Sequence, residues 1–310
     1  MSILYELEQE RKERPLNGPG KYRFFDGYIW TRAIEIPAVE HCNLNCKWCS
    51  HSSLHMPPFE ADPNEIHENL CLLSKFLRVE NVRIVGGEPL LHKNIRELLS
   101  AVKTSGICER IHLITNGTLL HTLNMHDLKA IDKVEISLYP INENKIKHII
   151  NCAQKISKLG KRVVLHKYTH FREAIAKYPT KDINIVNMVY STCQIAHFYR
   201  CITISNGHLF RCPQSTINSL RKHFISVDAL KIYDIYDIFE LLYFFESPAP
   251  LESCKCCFGS IGRLRPHQQN TSNQDTYLSE YADNAIDFDC YKLLSRDLHA
   301  NTGCYTRIYL

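Results

Sequence analysis

Apolar and polar residues alternate along this chain in short runs, and longer stretches with apolar positions three and four apart separate those runs. Arg32-Ala-Ile-Glu-Ile-Pro-Ala38 has the period of a strand, as do Val82–Val85, Ile111–Ile114, Val134–Leu138, Arg162–Leu165 and Ile183–Val186. Between them, residues from about Asp62 to Leu77 place Leu70, Leu73 and Phe76 on one helical face, and Ile95–Lys103 and Asn142–Leu159 also read as helices. Strands alternating with helices predict a parallel sheet with right-handed crossovers. Ahead of it, residues 1–29 read as a short helix and an irregular lead-in. Past residue 190 the pattern changes. Ser205-Asn-Gly-His208 between the runs Cys201–Ile204 and Leu209–Phe210 signals a hairpin, Leu230–Phe245 reads as helical, and a last helix falls around Tyr291–Leu298.

Composition narrows the class. The 310 residues are 45% hydrophobic and 23% charged, enough for a folded core rather than a disordered chain. A net charge of +4 argues for neither a nucleic-acid groove nor a membrane-surface patch. The first residues lack the basic-then-apolar order of a signal peptide, and no apolar run approaches the roughly 20 residues of a membrane span. The cytoplasm is the expected address. In a reducing compartment, 14 cysteines point to metal binding, catalysis or core packing rather than to disulfides.

The densest chemistry lies just after the first strand. Glu40-His-Cys-Asn-Leu-Asn-Cys-Lys-Trp-Cys-Ser-His51 puts Cys42, Cys46 and Cys49 in one short loop. Three thiolates can hold three irons of a cubane and leave the fourth open to a small molecule. A structural zinc site would need a fourth ligand, for which His41 and His51 are the neighbours available. The Cys-x3-Cys-x2-Cys spacing, with Trp48 before the last cysteine, resembles the signature of the radical S-adenosylmethionine (SAM) enzymes. In that family the open iron chelates SAM, and an electron from the cluster cleaves it to methionine and a 5′-deoxyadenosyl radical. The second strand runs into Gly86-Gly-Glu-Pro89, which resembles the family's GGE motif, so Gly86, Gly87 and Glu88 inherit the methionine amino group. Thr115 and Asn116 fall where the family has polar groups near the SAM ribose and carboxylate, although a simple turn accounts for Asn-Gly equally well. Ser137 falls at a further SAM-contacting position. The resemblance implies an α/β fold, a partial (β/α)6 TIM-like barrel over residues 30–190 that follows a lead-in of residues 1–29.

A second set of cysteines follows. Thirteen residues separate Cys193 from Gly207 and four separate that glycine from Cys212, with Cys254 and Cys257 further on. This resembles the small C-terminal twitch extension of the family, in which four thiolates bind an auxiliary [4Fe–4S] cluster. A four-cysteine zinc site satisfies the same spacing. The expected domain covers residues 191–265, with residues 266–310 as a tail. Two cysteines in it are left over, Cys256 and Cys201. Both suit core packing. A thiol facing the substrate would also serve as hydrogen-atom donor, as in the radical SAM epimerases of aminoglycoside assembly that this chain resembles; Cys256 is preferred, with Cys201 behind it. Arg263, Arg265 and His267 would meet a substrate or solvate a loop. Cys108, Cys152, Cys290 and Cys304 have no ligand neighbour.

The expected function is SAM-dependent hydrogen abstraction from a small sugar-like or aminocyclitol-like substrate, ending in epimerisation or dehydrogenation. Its cofactors would be SAM, the catalytic [4Fe–4S] cluster and the auxiliary one, with an external electron donor such as flavodoxin or ferredoxin. Peptide modification is the runner-up, disfavoured because about 30 residues before the first strand leave no room for a peptide-binding winged helix. A zinc-stabilised binding protein is the non-catalytic alternative.

Overall fold

The run ahead of the first cysteines forms a longer strand than its pattern predicts. The computed structural model describes residues 22–222, 225–269, 285–303 and 305–310. The expected N-terminal helix lies outside the described residues. The rest of the lead-in is not irregular: β1 (Arg23–Phe25) turns back through Asp26-Gly27 onto β2 (Tyr28–Val39). There follow α1 (Pro63–Leu73), β3 (Leu77–Gly86), α2 (Ile95–Thr104), β4 (Cys108–Thr115), α3 (Met125–Ala130), β5 (Lys133–Leu138), α4 (Glu143–Lys158) and β6 (Arg162–Tyr168). The strands β2, β3, β4, β5 and β6 lie side by side and parallel. Their register aligns Ile36, Ile84 and Leu113, and then Val134 and Val163, all buried in the core that the helices cover with Leu98, Val102, Ile149 and Ala153. Burying such aliphatic side chains is worth about 1.5–3 kcal/mol each, so this face holds the sheet to its helices.

The sixth expected strand is a helix. β7 (His170–Arg172) is followed by α5 (Ile183–Ser191), whose N-cap Asp182 accepts a hydrogen bond from the Asn184 amide at 2.8 Å. The alternation in Ile183-Asn-Ile-Val186 is four residues long, too short to outweigh a cap and the residues that continue the helical turn. Two other segments extend the sheet. β8 (Ile202–Ser205) pairs parallel with β2 and, through Asn206 and Gly207 in left-handed conformations, forms a hairpin with β9 (His208–Phe210). After α6 (Pro213–Lys222), the stretch expected to be helical begins instead with β10 (Ala229–Lys231) on β9 and a single helical turn over Ile232–Asp234; its α-helix is α7 (Ile238–Glu246), started by an Asp237–Glu240 capping box. β11 (Leu264–Pro266) pairs with β7, α8 (Phe288–Arg296) follows, and β12 (Tyr305–Tyr309) lies antiparallel along β6. The result is an open, partial α/β barrel with sheet order β10-β9-β8-β2-β3-β4-β5-β6-β12. Among the described residues no helix is long and apolar enough to cross a membrane.

Candidate active site

The C-terminal ends of the parallel strands converge on a cavity of about 560 Å³. Ligand sites in α/β sheets form at this end because the loops leaving the strands face one another there. Cys42, Cys46 and Cys49 line it together with Gly86, Gly87, Thr115, Asn116 and Ser137. The Gly-Gly turn is what holds the cysteine loop in place. Gly87 N–H donates to the Val39 carbonyl at 2.8 Å and Glu88 N–H to the His41 carbonyl at 3.0 Å. A Cβ at Gly86 would overlap the Val39 carbonyl oxygen and one at Gly87 the His41 carbonyl oxygen, so only glycine permits this approach.

Glu88 is fully buried and its side chain does not line the cavity. Its carboxylate accepts from the Thr115 hydroxyl at 2.6 Å, from Asn116 N–H at 2.8 Å and from Leu90 N–H at 3.2 Å, which ties the end of β3 to the end of β4. Burial pushes its pKa up to about 7, against the pull of those hydrogen bonds. Asn116 in turn donates to Asn43 Oδ1 at 2.9 Å and faces Cys42 Sγ at 3.7 Å. Trp48 has a left-handed backbone (φ 55°) and stands under the Arg265 guanidinium at 5.8 Å rather than in the cavity wall. His51 is engaged with the buried Glu40 at 2.5 Å, and His41 is exposed. Burial raises the Cys42 thiol to about 11 and the Cys46 thiol to about 12, and it raises Cys49 as well. The free thiols are therefore protonated at neutral pH, and a metal or cluster would displace three protons on binding.

The second set also comes together. Cys193 follows the end of α5, Cys212 follows β9, Cys254 sits on a short helical turn over Glu252–Cys256, and Cys257 directly follows that turn. All four line a second cavity of about 240 Å³, and Cys193, Cys212 and Cys257 also line the larger one. Burial raises all four thiols, Cys254 to about 12, and the charge on Cys193 raises the other three further. Among the described residues no three or more Cys, His, Asp or Glu side chains are arranged around one metal ion. A cubane spreads its four ligands wider than a single ion does, and the donor set and the shared cavity fit such a group.

The two spare thiols part company. Cys201 lines the larger cavity beside Glu35 and Arg83, and burial, followed by the Glu35 charge, raises its pKa to about 12. Cys256 is 1% exposed and lines neither cavity; its carbonyl accepts from Ala176 N–H. Cys290, expected to lack a partner, donates its thiol to the Ser260 carbonyl at 3.4 Å, and Cys304 lies outside the described residues. Arg263, Arg265 and His267 do not line the larger cavity: Arg263 is exposed, Arg265 pairs with the buried Glu173 at 3.0 Å, and His267 stacks on Tyr139.

Sequence reasoning missed the floor of the barrel. On the face opposite the aliphatic core, Arg83 meets Glu35 at 2.6 Å, while Glu135 takes His112 at 3.5 Å, His166 at 3.3 Å and Lys133 at 2.9 Å. Burial pushes the Glu135 carboxyl up. The hydrogen bonds from His112, His166 and Lys133 and the charge of Arg83 outweigh it and hold the group well below the ordinary carboxylate range. The signal was present: one polar residue stands in the middle of each strand of the series.

Residues 36–190, half of the chain, match the family model described as the Radical SAM superfamily. The GTP 3′,8-cyclase of Aquifex aeolicus is 27% identical over 199 residues, covering 60% of this chain and 58% of that protein. A putative glycyl-radical enzyme activating enzyme of Methanocaldococcus jannaschii is 30% identical over 125 residues, 39% of this chain and 47% of its own length. The chain thus spans less than two thirds of these curated relatives. Among solved structures, BtrN in complex with AdoMet and 2-DOIA aligns over 73% of this chain and 92% of its own at 18% identity, with a TM-score of 0.44. Native anSMEcpe with AdoMet and the Cp18Cys peptide aligns over 86% and 96% at 12% identity, with a TM-score of 0.48. With a family match over half its length, this chain belongs to the radical SAM superfamily, whose members bind SAM and a [4Fe–4S] cluster.

Proposed function

We propose that this chain epimerises a small hydroxylated substrate, of the sugar or aminocyclitol kind, in the 560 Å³ cavity, and that Cys201 is its hydrogen-atom donor. The observation that carries this reading is the position of Cys201. It is the one thiol outside the two ligand sets that lines the same cavity as Cys42, Cys46 and Cys49, among the described residues. When bound, the cluster and SAM supply the oxidant that removes a hydrogen atom from a substrate carbon. Gly86 and Gly87 then hold the cysteine loop, Asn116 orients it through Asn43, and Glu35 and Arg83 offer the substrate an acceptor and a donor from below. A protonated thiol is the species that can give up a hydrogen atom, and burial keeps Cys201 protonated at neutral pH.

The substrate C–H bond breaks and its hydrogen leaves on 5′-deoxyadenosine. The Cys201 S–H bond breaks, and a new C–H bond forms on the opposite face of the carbon. The sulfur radical that remains needs one electron and one proton. A cluster on Cys193, Cys212, Cys254 and Cys257 would supply the electron, refilled by an external donor such as flavodoxin or ferredoxin. Cys193 lines the same cavity as Cys201, which supports that route.

The test is anaerobic turnover with SAM and dithionite in deuterated buffer, using a panel of aminocyclitols and amino sugars. Deuterium is expected at one inverted carbon. Cys201→Ala should still form 5′-deoxyadenosine but release no deuterated epimer, while Cys256→Ala should match the parent protein. Full deuterium incorporation by Cys201→Ala would remove that thiol from the mechanism.

A further inference from the structure

Cys46 is 8% exposed, and the groups around its sulfur come from more than 200 residues away. Gln269 Nε2 lies 3.2 Å from Cys46 Sγ, and His267 Nε2 lies 3.3 Å from it. The orientation of the Gln269 amide follows from its neighbours: its Oε1 accepts from Asn45 N–H at 3.0 Å, which leaves the NH₂ group facing the sulfur. The backbone is tied down as well. Lys47 N–H donates to the Gln268 carbonyl at 2.9 Å, and Cys46 and Gln269 form an antiparallel bridge. His267 is held by its stack on Tyr139, with ring centroids 5.1 Å apart and planes 8° from parallel, and by its N–H on the Thr169 carbonyl at 2.9 Å.

We infer that Gln269 and His267 are positioning residues for the catalytic cluster, and that the Gln269 N–H···S hydrogen bond to Cys46, braced by the His267 ring nitrogen 3.3 Å from both the sulfur and the Gln269 amide nitrogen, raises its reduction potential. An added electron places more negative charge on the ligand sulfurs, and donors aimed at a sulfur stabilise that reduced form. Both residues belong to the segment that leaves Cys257 through β11, so the strand after the second cysteine set finishes the environment of the first. This inference rests on membership of the superfamily and does not depend on what the second set binds.

The experiment is a redox titration of the reconstituted full-length chain, monitored by electron paramagnetic resonance through the signal that changes when SAM is added. For Gln269→Leu the reduced fraction at a given potential should fall about tenfold, equivalent to a midpoint ~59 mV more negative for one electron. His267→Phe should move it the same way, and His267→Gln, which restores a polar amide near the same place, should return it to within about twofold of the parent protein. Gln269→Glu keeps the shape and the acceptor for Asn45 while losing the donor, so its midpoint should also drop, and it serves if the leucine variant loads iron poorly. An unshifted midpoint in Gln269→Glu and His267→Phe at full iron content overturns the inference. Absence of any SAM-responsive signal in the parent protein would instead overturn the presence of the cluster itself.

Discussion

The two cysteine sets put similar thiols in similarly buried surroundings by opposite routes. Cys42, Cys46 and Cys49 share one loop at the end of one strand, and the Gly86–Gly87 turn presses on that loop from the neighbouring strand. Cys193, Cys212, Cys254 and Cys257 come from a helix end, a hairpin end and a helical turn, and they share a cavity because β8 continues the sheet beside β2. A local set can be read as a motif. A dispersed set depends on every element that carries it, so it should be the easier one to disturb from a distance.

The sharpest way to break the comparison is to remove one ligand from each set. Cys42→Ala should lower 5′-deoxyadenosine formation more than about a thousandfold, whereas Cys212→Ala should leave it within about tenfold of the parent protein. Iron analysis should fall from about eight to about four atoms per chain in either variant. Equal loss of SAM cleavage in the two would mean that the sets are not separable.

Next in size is the glycine clamp. Gly87→Ala forces a Cβ into the His41 carbonyl, and the strain is expected to cost on the order of 3 kcal/mol, read as a lower Tm and as iron missing from the first set. Gly207→Ala should cost less. That residue has φ +68° but meets nothing closer than the end of the Glu65 side chain, so the cost is the left-handed backbone alone, about 1 kcal/mol. Its signature would be iron lost from the second set with the first untouched.

The smallest effect concerns the polar floor of the barrel. Glu135 has a folded-state pKa below its unfolded value, so its contribution is complete above the ordinary carboxylate range and is lost as pH falls through the folded value. The Tm of the metal-free chain should therefore drop on acidification from about pH 5 towards about pH 3, with a shallower slope in Glu135→Gln, measured by circular dichroism. A parallel slope in the variant would assign the acid sensitivity to other groups.

Much of the barrel was legible because its aliphatic rows repeat with strand period and its helices carry caps close to where the pattern stops. The four residues Ile183–Val186 misled because alternation over so short a run does not distinguish a strand from the first turn of a capped helix. The three-cysteine loop was legible for a different reason: its cysteines are neighbours in the chain. The floor was not. Closing the sheet into an open barrel turns the side carrying Glu35, Arg83 and Glu135 into an interior where each charge needs a partner, and alternation along a strand does not show which side will be enclosed.

The amino-acid sequence by itself determined the parallel strands β2 to β6, the three-cysteine loop and the glycines that brace it, since each depends on residues close together along the chain. Only the tertiary structure decided that Cys201 rather than Cys256 faces the cavity, that Gln269 and His267 reach the sulfur of Cys46, and that β12 takes the place beside β6. Those outcomes depend on which distant segments pack together, and spacing in the sequence carries no distance across a fold.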